Sequence, residues 1–188
     1  MLKIIQAPSQ VLSGVSEKIQ GNPPKIDGNL KSLIKNMEEA LDAADDPKGV
    51  GLAAPQVGKP ISLFVTKPQN NSKVQVFINP QIILSEEILD KTKSKAKRKK
   101  DKKLEGCLSL KDIWGEVKRS ASIELEYFDE KGEKHTKKFS GFMATIVQHE
   151  VDHLNGILFP KRVLEQRGKL YHSTKDEEGE MIFDPIEI

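Results

Sequence analysis

The sequence is poor in several residue types, and each shortage excludes a class of protein. Its 188 residues contain one cysteine, so no disulfide can form within the chain and a disulfide-stabilised secreted module is excluded. No run of about 18 apolar residues occurs, so we expect no transmembrane helix. The N-terminal residues lack the apolar core and small-residue cleavage site of a secretory signal. We therefore expect a cytoplasmic protein.

Charge is distributed unevenly along the chain. The formal net charge is +2, but residues 90–103 alone contain nine Lys or Arg against two Asp, so the remainder is net acidic. Hydrophobic residues make up 37% of the chain, a globular composition. The length suits a single domain, which we place at residues 1–164 with a Lys-rich loop at 90–103. Residues 165–188 are predicted to form a C-terminal tail that can close as an edge hairpin.

Hydrophobic periodicity predicts two helices and several strands. Residues 29–44 place apolar side chains at helical spacing, and residues 142–155 do the same before a stop at Asn155-Gly156. Strands are predicted at residues 61–67, 74–80, 122–129 and 134–140, and the Gly- and Pro-rich stretch 45–60 is predicted to be a loop. Because helices and strands do not alternate regularly, the fold class is predicted to be α+β with mainly antiparallel sheets.

The strongest local signal is QHEVDH at residues 148–153. On a helix, His149 and His153 lie one turn apart on the same face, where both imidazoles can reach one metal ion. Glu150 follows the first histidine, so its carboxylate can take a proton from an attacking water and pass it to a leaving amine. The flanking residues are apolar, and buried histidines without partners are costly. The motif therefore predicts a metallohydrolase.

The residues alone leave the third metal ligand open. Downstream of His153 the available donors are Glu165, His172, Glu177 and Glu178. Upstream, Cys107 lies in the sequence EGCLS, and a thiolate is a strong ligand for Fe(II) or Zn(II). A lone cysteine is, however, most often a small core residue.

Three motifs together resemble the signatures of the peptide deformylases. They are GVGLAAPQ at residues 49–56, EGCLS at 105–109 and QHEVDH at 148–153, and their order and approximate spacing match that family. The similarity extends from about Ile4 to Phe159. Members of the family remove the N-formyl group from nascent polypeptides that begin with formylmethionine. The resemblance implies antiparallel sheets packed around a central metal-binding helix.

The resemblance also implies a role for individual residues. It makes Cys107, His149 and His153 the metal ligands and Glu150 the general acid and base. It makes Gln56 and the backbone N–H of Leu108 oxyanion donors, a role that the tetrahedral intermediate of acyl transfer requires. The implied native ion is Fe2+, and Zn2+, Ni2+ or Co2+ can take its place. The residues expected to bind substrate are Val50, Gly51, Trp114, Thr145 and Ile146, with the peptide adding as a strand along Val50 and Gly51.

Two positions depart from the pattern of the family. Lys111 replaces a proline that commonly follows the second motif, and Trp114 stands about where many members have an arginine near the substrate. Trp114 is either an apolar platform for the second or third substrate residue or an aromatic anchor packed on the surface. The ligands themselves are unchanged.

The expected partners are nascent formyl-Met peptides, and a monomer is favoured. The Lys-rich run at 90–103 is either a transient contact with the ribosome or a solvated loop. One alternative function is a zinc endopeptidase of the HExxH type, which takes a downstream third ligand and gives Cys107 no role. The other is a ribosome- or RNA-binding protein that uses the Lys-rich run.

Overall fold

The computed structural model describes residues 2–45, 48–69, 71–85 and 104–187, and the Lys-rich run at 90–103 lies outside these residues. Within them, no helix is long and apolar enough to cross a membrane. The helices are α1 (Gln10–Ser13), α2 (Gly28–Asp42), α3 (Gly141–Leu154) and α4 (Phe159–Glu165). The strands are β1 (Gly51–Ala53), β2 (Leu63–Thr66), β3 (Gln75–Ser85), β4 (Glu105–Cys107), β5 (Leu110–Gly115), β6 (Ser122–Phe128), β7 (Lys134–Ser140), β8 (Leu170–Lys175) and β9 (Met181–Pro185).

A five-stranded antiparallel sheet in the order β1-β2-β3-β6-β7 lies between two helices. Alternate side chains of a strand point to opposite faces, and β2 is buried on both. Leu63 and Val65 pack in the cluster that contains the apolar face of α2. Phe64 packs in the cluster that contains Ala144 and Val147 of α3. Both helices are therefore fixed to the sheet by buried apolar side chains, each contributing about 1.5–3 kcal/mol.

A second antiparallel sheet has the order β4-β5-β8-β9. Helix α4 covers one face of it, where Phe159 and Val163 pack with Leu170 and Cys107. Gly115 is required beneath the helix because a Cβ there would lie 2.6 Å from a methyl group of Val163. The C-terminal hairpin β8–β9 forms the far edge of this sheet.

The predicted fold class is confirmed by the structure, but one predicted loop is wrong, and strands β4 and β5 and helices α1 and α4 were not predicted. The α+β class with antiparallel sheets holds, and the predicted first helix is α2, whose N-terminus is capped by Asp27 through a 2.9 Å bond from the Leu30 N–H. The prediction of a loop at residues 45–60 is wrong, because this stretch contains β1 and a 3-10 turn at Ala54–Val57. Strand β1 has three residues, all buried, so it shows no alternation from which a strand could be recognised.

The ends of the two sheets set the position of the site. Strand β1 is the first strand of the five-stranded sheet and β4 is the first strand of the other, so each has one neighbour within its sheet in the described part of the chain. Helix α3 packs against β1 and β2, and its histidines reach Cys107 at the end of β4. The chemistry-bearing residues are thus gathered where two sheet edges and one helix meet.

Candidate metal centre and adjoining cavity

Cys107, His149 and His153, hereafter the ligand cluster, lie close enough to hold one ion. One ligand atom from each lies within 4.8 Å of the other two, and the Cys107 sulfur is 3.2 Å from His153 Nε2. The two histidines face the same way because they are one helical turn apart on α3. Among the described residues, the downstream candidates Glu165, His172, Glu177 and Glu178 do not belong to this cluster. The structure thus brings Cys107, and none of those downstream candidates, to the two histidines as a possible third donor.

Glu105 orients one imidazole of the ligand cluster. Its Oε2 lies 3.1 Å from His149 Nδ1, which leaves Nε2 of that ring for the cluster. Arg119 donates to both oxygens of Glu105, from Nε at 2.8 Å and from Nη2 at 3.0 Å. A carboxylate behind a histidine ligand fixes its tautomer and raises its basicity, which is the usual support of a metal site.

The ion pair of Glu105 and Arg119 continues into a network beneath α3. Arg119 Nη1 donates to Asp152 Oδ2 at 2.6 Å, and Arg162 of α4 donates to the same carboxylate at 2.7 and 3.1 Å. The side chains of Arg119, Glu105 and Asp152 are 8–10% exposed. Buried charges need such pairing, and here the pairing joins α3, α4 and β4, the strand that ends at Cys107.

The two imidazoles of the ligand cluster have pKa shifts of opposite direction. Burial lowers the pKa of His149, but its contacts with Cys107 and Glu105 outweigh burial and hold that pKa well above its ordinary value. Burial and the neighbouring His149 hold the pKa of His153 well below its ordinary value. Glu105 keeps a lowered pKa against its own burial because His149 and Arg119 bond to it. Two imidazoles and a cysteine sulfur are in any case a donor set that suits a divalent transition-metal ion.

Glu150 is buried beside the glycine-rich strand. It is 3% exposed, and burial raises the pKa of its carboxyl to about 7. A Cβ at Gly51 would lie 2.8 Å from Glu150 Cδ, so the bare backbone of Gly51 makes room for the carboxylate. Within the described residues, Glu150 Oε2 and His153 Nδ1 are buried without a hydrogen-bond partner. Such atoms are rare in folded proteins and are expected where a ligand or water completes a site.

Gln56 is held in place from both ends of its amide. Its Oε1 accepts the Ala53 N–H at 2.8 Å, and its Nε2 donates to Ser109 Oγ at 3.1 Å and lies 3.6 Å from the Cys107 sulfur. The 3-10 turn that carries Gln56 follows directly on β1. The structure thus places this amide against the ligand cluster.

A cavity of about 680 Å³ opens beside the ligand cluster. Its walls contain all five residues predicted to bind substrate, together with Cys107, His149, Gln56 and Leu108. Glu150 and His153 are buried instead, at 3% and 1% exposure. The five predicted residues in the cavity wall are Val50, Gly51, Trp114, Thr145 and Ile146.

Several residues of the site have no role in the sequence-based interpretation. Glu105 lies inside the EGCLS motif, and that position was its only signal. Ser109 likewise lies inside that motif, whereas Arg119 gave no local signal, because its partners Glu105 and Asp152 lie 14 and 33 residues away in the chain. Lys48 and Phe142 also line the cavity. Phe142 is 57% exposed at the start of α3 and adds an apolar side chain to the cavity wall.

Comparison with known proteins agrees with this geometry. Residues 1–169 match the profile of the family described as polypeptide deformylase. The chain is 37% identical to a peptide deformylase of Christiangramia forsetii over 92% of its own length and 87% of that protein. It is 39% identical to a peptide deformylase of Rhodopirellula baltica, covering 88% of this chain and 74% of the relative. The crystal structure of peptide deformylase from Thermotoga maritima superimposes with a TM-score of 0.69 at 33% identity, covering 86% of this chain and 97% of that one.

Proposed function

The chain belongs to the polypeptide deformylase family, a family of hydrolases that remove the formyl group from the N-terminal methionine of new polypeptides, and on that premise we propose how its residues perform this reaction. The observation that carries the proposal is the convergence of Cys107, His149 and His153 next to a cavity that also contains Gln56 and Leu108. The three side chains of the ligand cluster hold the ion. When bound, the ion acts as a Lewis acid that polarises the formyl carbonyl and makes water nucleophilic at neutral pH.

Glu150 moves the protons of the reaction. Its buried carboxyl has a pKa raised to about 7, so both protonation states are accessible near neutral pH. The carboxylate takes a proton as water adds to the formyl carbon. It returns the proton to the nitrogen of methionine as the C–N bond breaks, and formate leaves.

Gln56 and Leu108 stabilise the charge that develops on the formyl oxygen. The amide nitrogen of Gln56 already lies against Cys107 and is fixed by Ala53 and Ser109, so little reorganisation is needed. The backbone N–H of Leu108, next to Cys107, is the second donor. Fixed neutral donors of this kind contribute about 3–4 kcal/mol each to catalysis in comparable sites.

The peptide binds as an added strand. Strand β1 ends its sheet, and Val50 and Gly51 line the cavity, so their backbone is available to pair with an extended substrate. Thr145 and Ile146 of α3 form the wall for the methionine side chain, whose flexible thioether packs well on such surfaces. Trp114 forms another wall. The small formyl group fits between them, and a larger acyl group clashes.

The native ion, the location and the partners follow from the same proposal. Fe2+ is the proposed resident ion because the resemblance to the deformylases implies it, and one thiolate and two imidazoles suit Zn2+, Ni2+ and Co2+ equally. The protein acts as a monomer in the cytoplasm, where formylmethionyl chains emerge from the ribosome. Transient ribosome contact through residues 90–103 relies on their positive charge alone. Deletion of residues 91–101 should weaken a salt-sensitive association with ribosomes, and unchanged association would remove this part of the proposal.

The deciding experiment measures formate release and metal in one sample. Protein purified anaerobically should release formate from formyl-Met-Ala-Ser and contain close to one iron per chain. Acetyl-Met-Ala-Ser is the matched control and should remain intact. Absence of formate from protein that contains its metal, or equal turnover of the acetyl peptide, would refute the proposal. Cleavage within an unblocked peptide would instead favour the endopeptidase alternative.

A further inference from the structure

The only tryptophan of the chain lies next to the ligand cluster. Trp114 on β5 is paired with Gly106 on β4, the residue directly before Cys107. A Cβ at Gly106 would lie 2.8 Å from the indole ring, so the glycine leaves room for the ring to lie on the backbone there. The same ring lines the cavity. The indole is therefore part of the cavity wall within one residue of a ligand.

The C-terminal hairpin fixes the orientation of this ring. The indole Nε1 donates to Ser173 Oγ of β8 at 3.0 Å, and Ser173 is 4% exposed. The ring of Phe183 on β9 meets the indole edge-on, with 5.5 Å between centroids and 81° between planes. Ser173 is paired with Phe183 across the hairpin, so both act from one face of the sheet. The indole N–H thus donates its hydrogen bond to the hairpin and not into the cavity.

The placement of the ring corresponds to one position of the substrate. In an extended peptide, successive side chains point in opposite directions. If the methionine side chain packs on the α3 wall at Thr145 and Ile146, the next side chain points away from α3. The cavity wall supplied by the second sheet contains Trp114. An aromatic ring offers a flat apolar surface whose face carries partial negative charge.

We propose, building on the deformylase function above, that Trp114 selects the substrate residue that follows formylmethionine. It favours aromatic and other large apolar side chains, which stack on the indole. It disfavours aspartate and glutamate, whose carboxylates lose hydration against an electronegative ring face. Ser173 and Phe183 are positioning residues, because they act only through the indole.

The first test compares three peptides in the metal-loaded protein. The wild-type protein should deformylate formyl-Met-Phe-Ser with the highest kcat/KM, then formyl-Met-Ala-Ser, then formyl-Met-Asp-Ser. Trp114→Ala should lower the ratio of kcat/KM for the Phe peptide to kcat/KM for the Ala peptide by about fivefold, the size of one aromatic contact. Trp114→Phe keeps a ring without the N–H and should retain the preference. An unchanged ratio of Phe to Ala peptide in Trp114→Ala would overturn the inference.

The second test addresses the hairpin. Ser173→Ala removes the acceptor of the indole N–H and should raise KM for the Phe peptide with kcat unchanged, whereas Ser173→Thr should restore the wild-type KM. Phe183→Ala should act as Ser173→Ala does. Ile182→Ala is the matched control, since Ile182 neighbours Phe183 on the other face of β9 and should change neither constant. A KM effect of Ile182→Ala equal to that of Phe183→Ala would overturn the role of the hairpin.

Tryptophan fluorescence separates this inference from the proposed function. Because Trp114 is the sole tryptophan, the tryptophan emission of the protein reports the surroundings of this one ring. Titration with the product peptide Met-Phe-Ser should change the emission, and Met-Asp-Ser should change it only at much higher concentration. Absence of formate from all three peptides refutes the proposed function, and the titration then decides the inference by itself. Identical emission changes with the two products would overturn it.

Discussion

The carboxylate of Glu150 packs directly on the backbone of Gly51, from which a Cβ would lie only 2.8 Å from its Cδ. The two residues are 99 positions apart in the chain, one on α3 and the other at the start of the edge strand β1. The glycine therefore limits where the Glu150 carboxylate can lie. In the proposed mechanism, the glycine-rich motif positions the general acid and base as well as admitting the substrate.

Because of this contact, a single methyl group added at Gly51 should strongly lower the catalytic rate. Gly51→Ala should displace Glu150 and lower kcat for formyl-Met-Ala-Ser by about a hundredfold, the usual result of a misplacement of about 1 Å in a catalytic group. Metal content should stay at the wild-type level, because none of the three ligands is touched. Gly28→Ala is the control, since a Cβ at Gly28 meets nothing within 4 Å. Wild-type kcat in Gly51→Ala would contradict the assignment of Glu150.

The identity of the third ligand can be tested by metal content. Cys107→Ser should weaken metal affinity by more than about a hundredfold, since even residues behind the ligands contribute 10- to 100-fold. His172→Ala should bind metal normally, because His172 lies on β8 and is paired with Ile113 away from the cluster. Metal analysis after dialysis against a weak chelator measures both. Retention of metal by Cys107→Ser with its loss in His172→Ala would support the endopeptidase alternative.

Each ion pair of the network beneath α3 should contribute more to the free energy of unfolding the more deeply its side chains are buried. Asp152→Ala leaves the 8% exposed Arg119 side chain without one of its two partners, and we expect a loss of about 3–5 kcal/mol in the free energy of unfolding. Arg162→Ala removes a side chain that is 33% exposed, so its effect should be nearer 1 kcal/mol. Urea unfolding of the metal-loaded proteins compares the two. Equal losses would show that burial does not determine the contribution of these pairs.

The turn between β6 and β7 should make stability depend on pH. Burial raises the pKa of Asp129, but a 2.8 Å contact with His135 and bonds from the N–H groups of Glu133 and Lys131 outweigh it and leave the pKa lowered. A carboxyl whose pKa is lower in the folded state stabilises the fold above its unfolded pKa. That contribution is lost as the pH falls through the folded pKa.

Asp129→Asn keeps an oxygen that can accept the two N–H bonds, and it loses the charge and the oxygen that contacts His135. Its melting temperature should therefore lie below that of the wild type at pH 7. The difference should shrink as the pH falls below 3.8, the ordinary pKa of an aspartate. Thermal unfolding from pH 7 to pH 3 measures it. A constant difference over that range would rule out the charge of Asp129 as its source.

Features of the site that depend on short-range spacing could be predicted from the sequence. His149 and His153 are one helical turn apart, so the sequence alone predicts that they share a face of the helix and can bind one ion. The distance in space between Cys107 and His149 depends on how the two sheets meet. The local sequence pattern therefore left the thiol as one candidate ligand among several. Only the resemblance of three motifs to a family selected it.

The supporting contacts could not be predicted from the sequence. The bond from Trp114 to Ser173 spans 59 residues, and that from Arg119 to Asp152 spans 33. Both depend on side chains brought together by tertiary packing, for which neither periodicity nor turn chemistry gives a signal. Strand β1 was mistaken for loop for a related reason. Its three buried residues are a strand because β2 pairs with them, whatever their own preference.

The position of Cys107 on one sheet, with both histidines on the helix that packs on the other, has a mechanical consequence. An ion held by all three donors is a cross-link between two sheets, in a chain whose single cysteine permits no internal disulfide. Closing the loop between residues 107 and 149 limits the freedom of the unfolded chain, as a covalent bridge does. Tighter binding of the ion should therefore also increase the free energy of unfolding. An ion bound in the ligand cluster would therefore stabilise the fold as well as supply the chemistry proposed above.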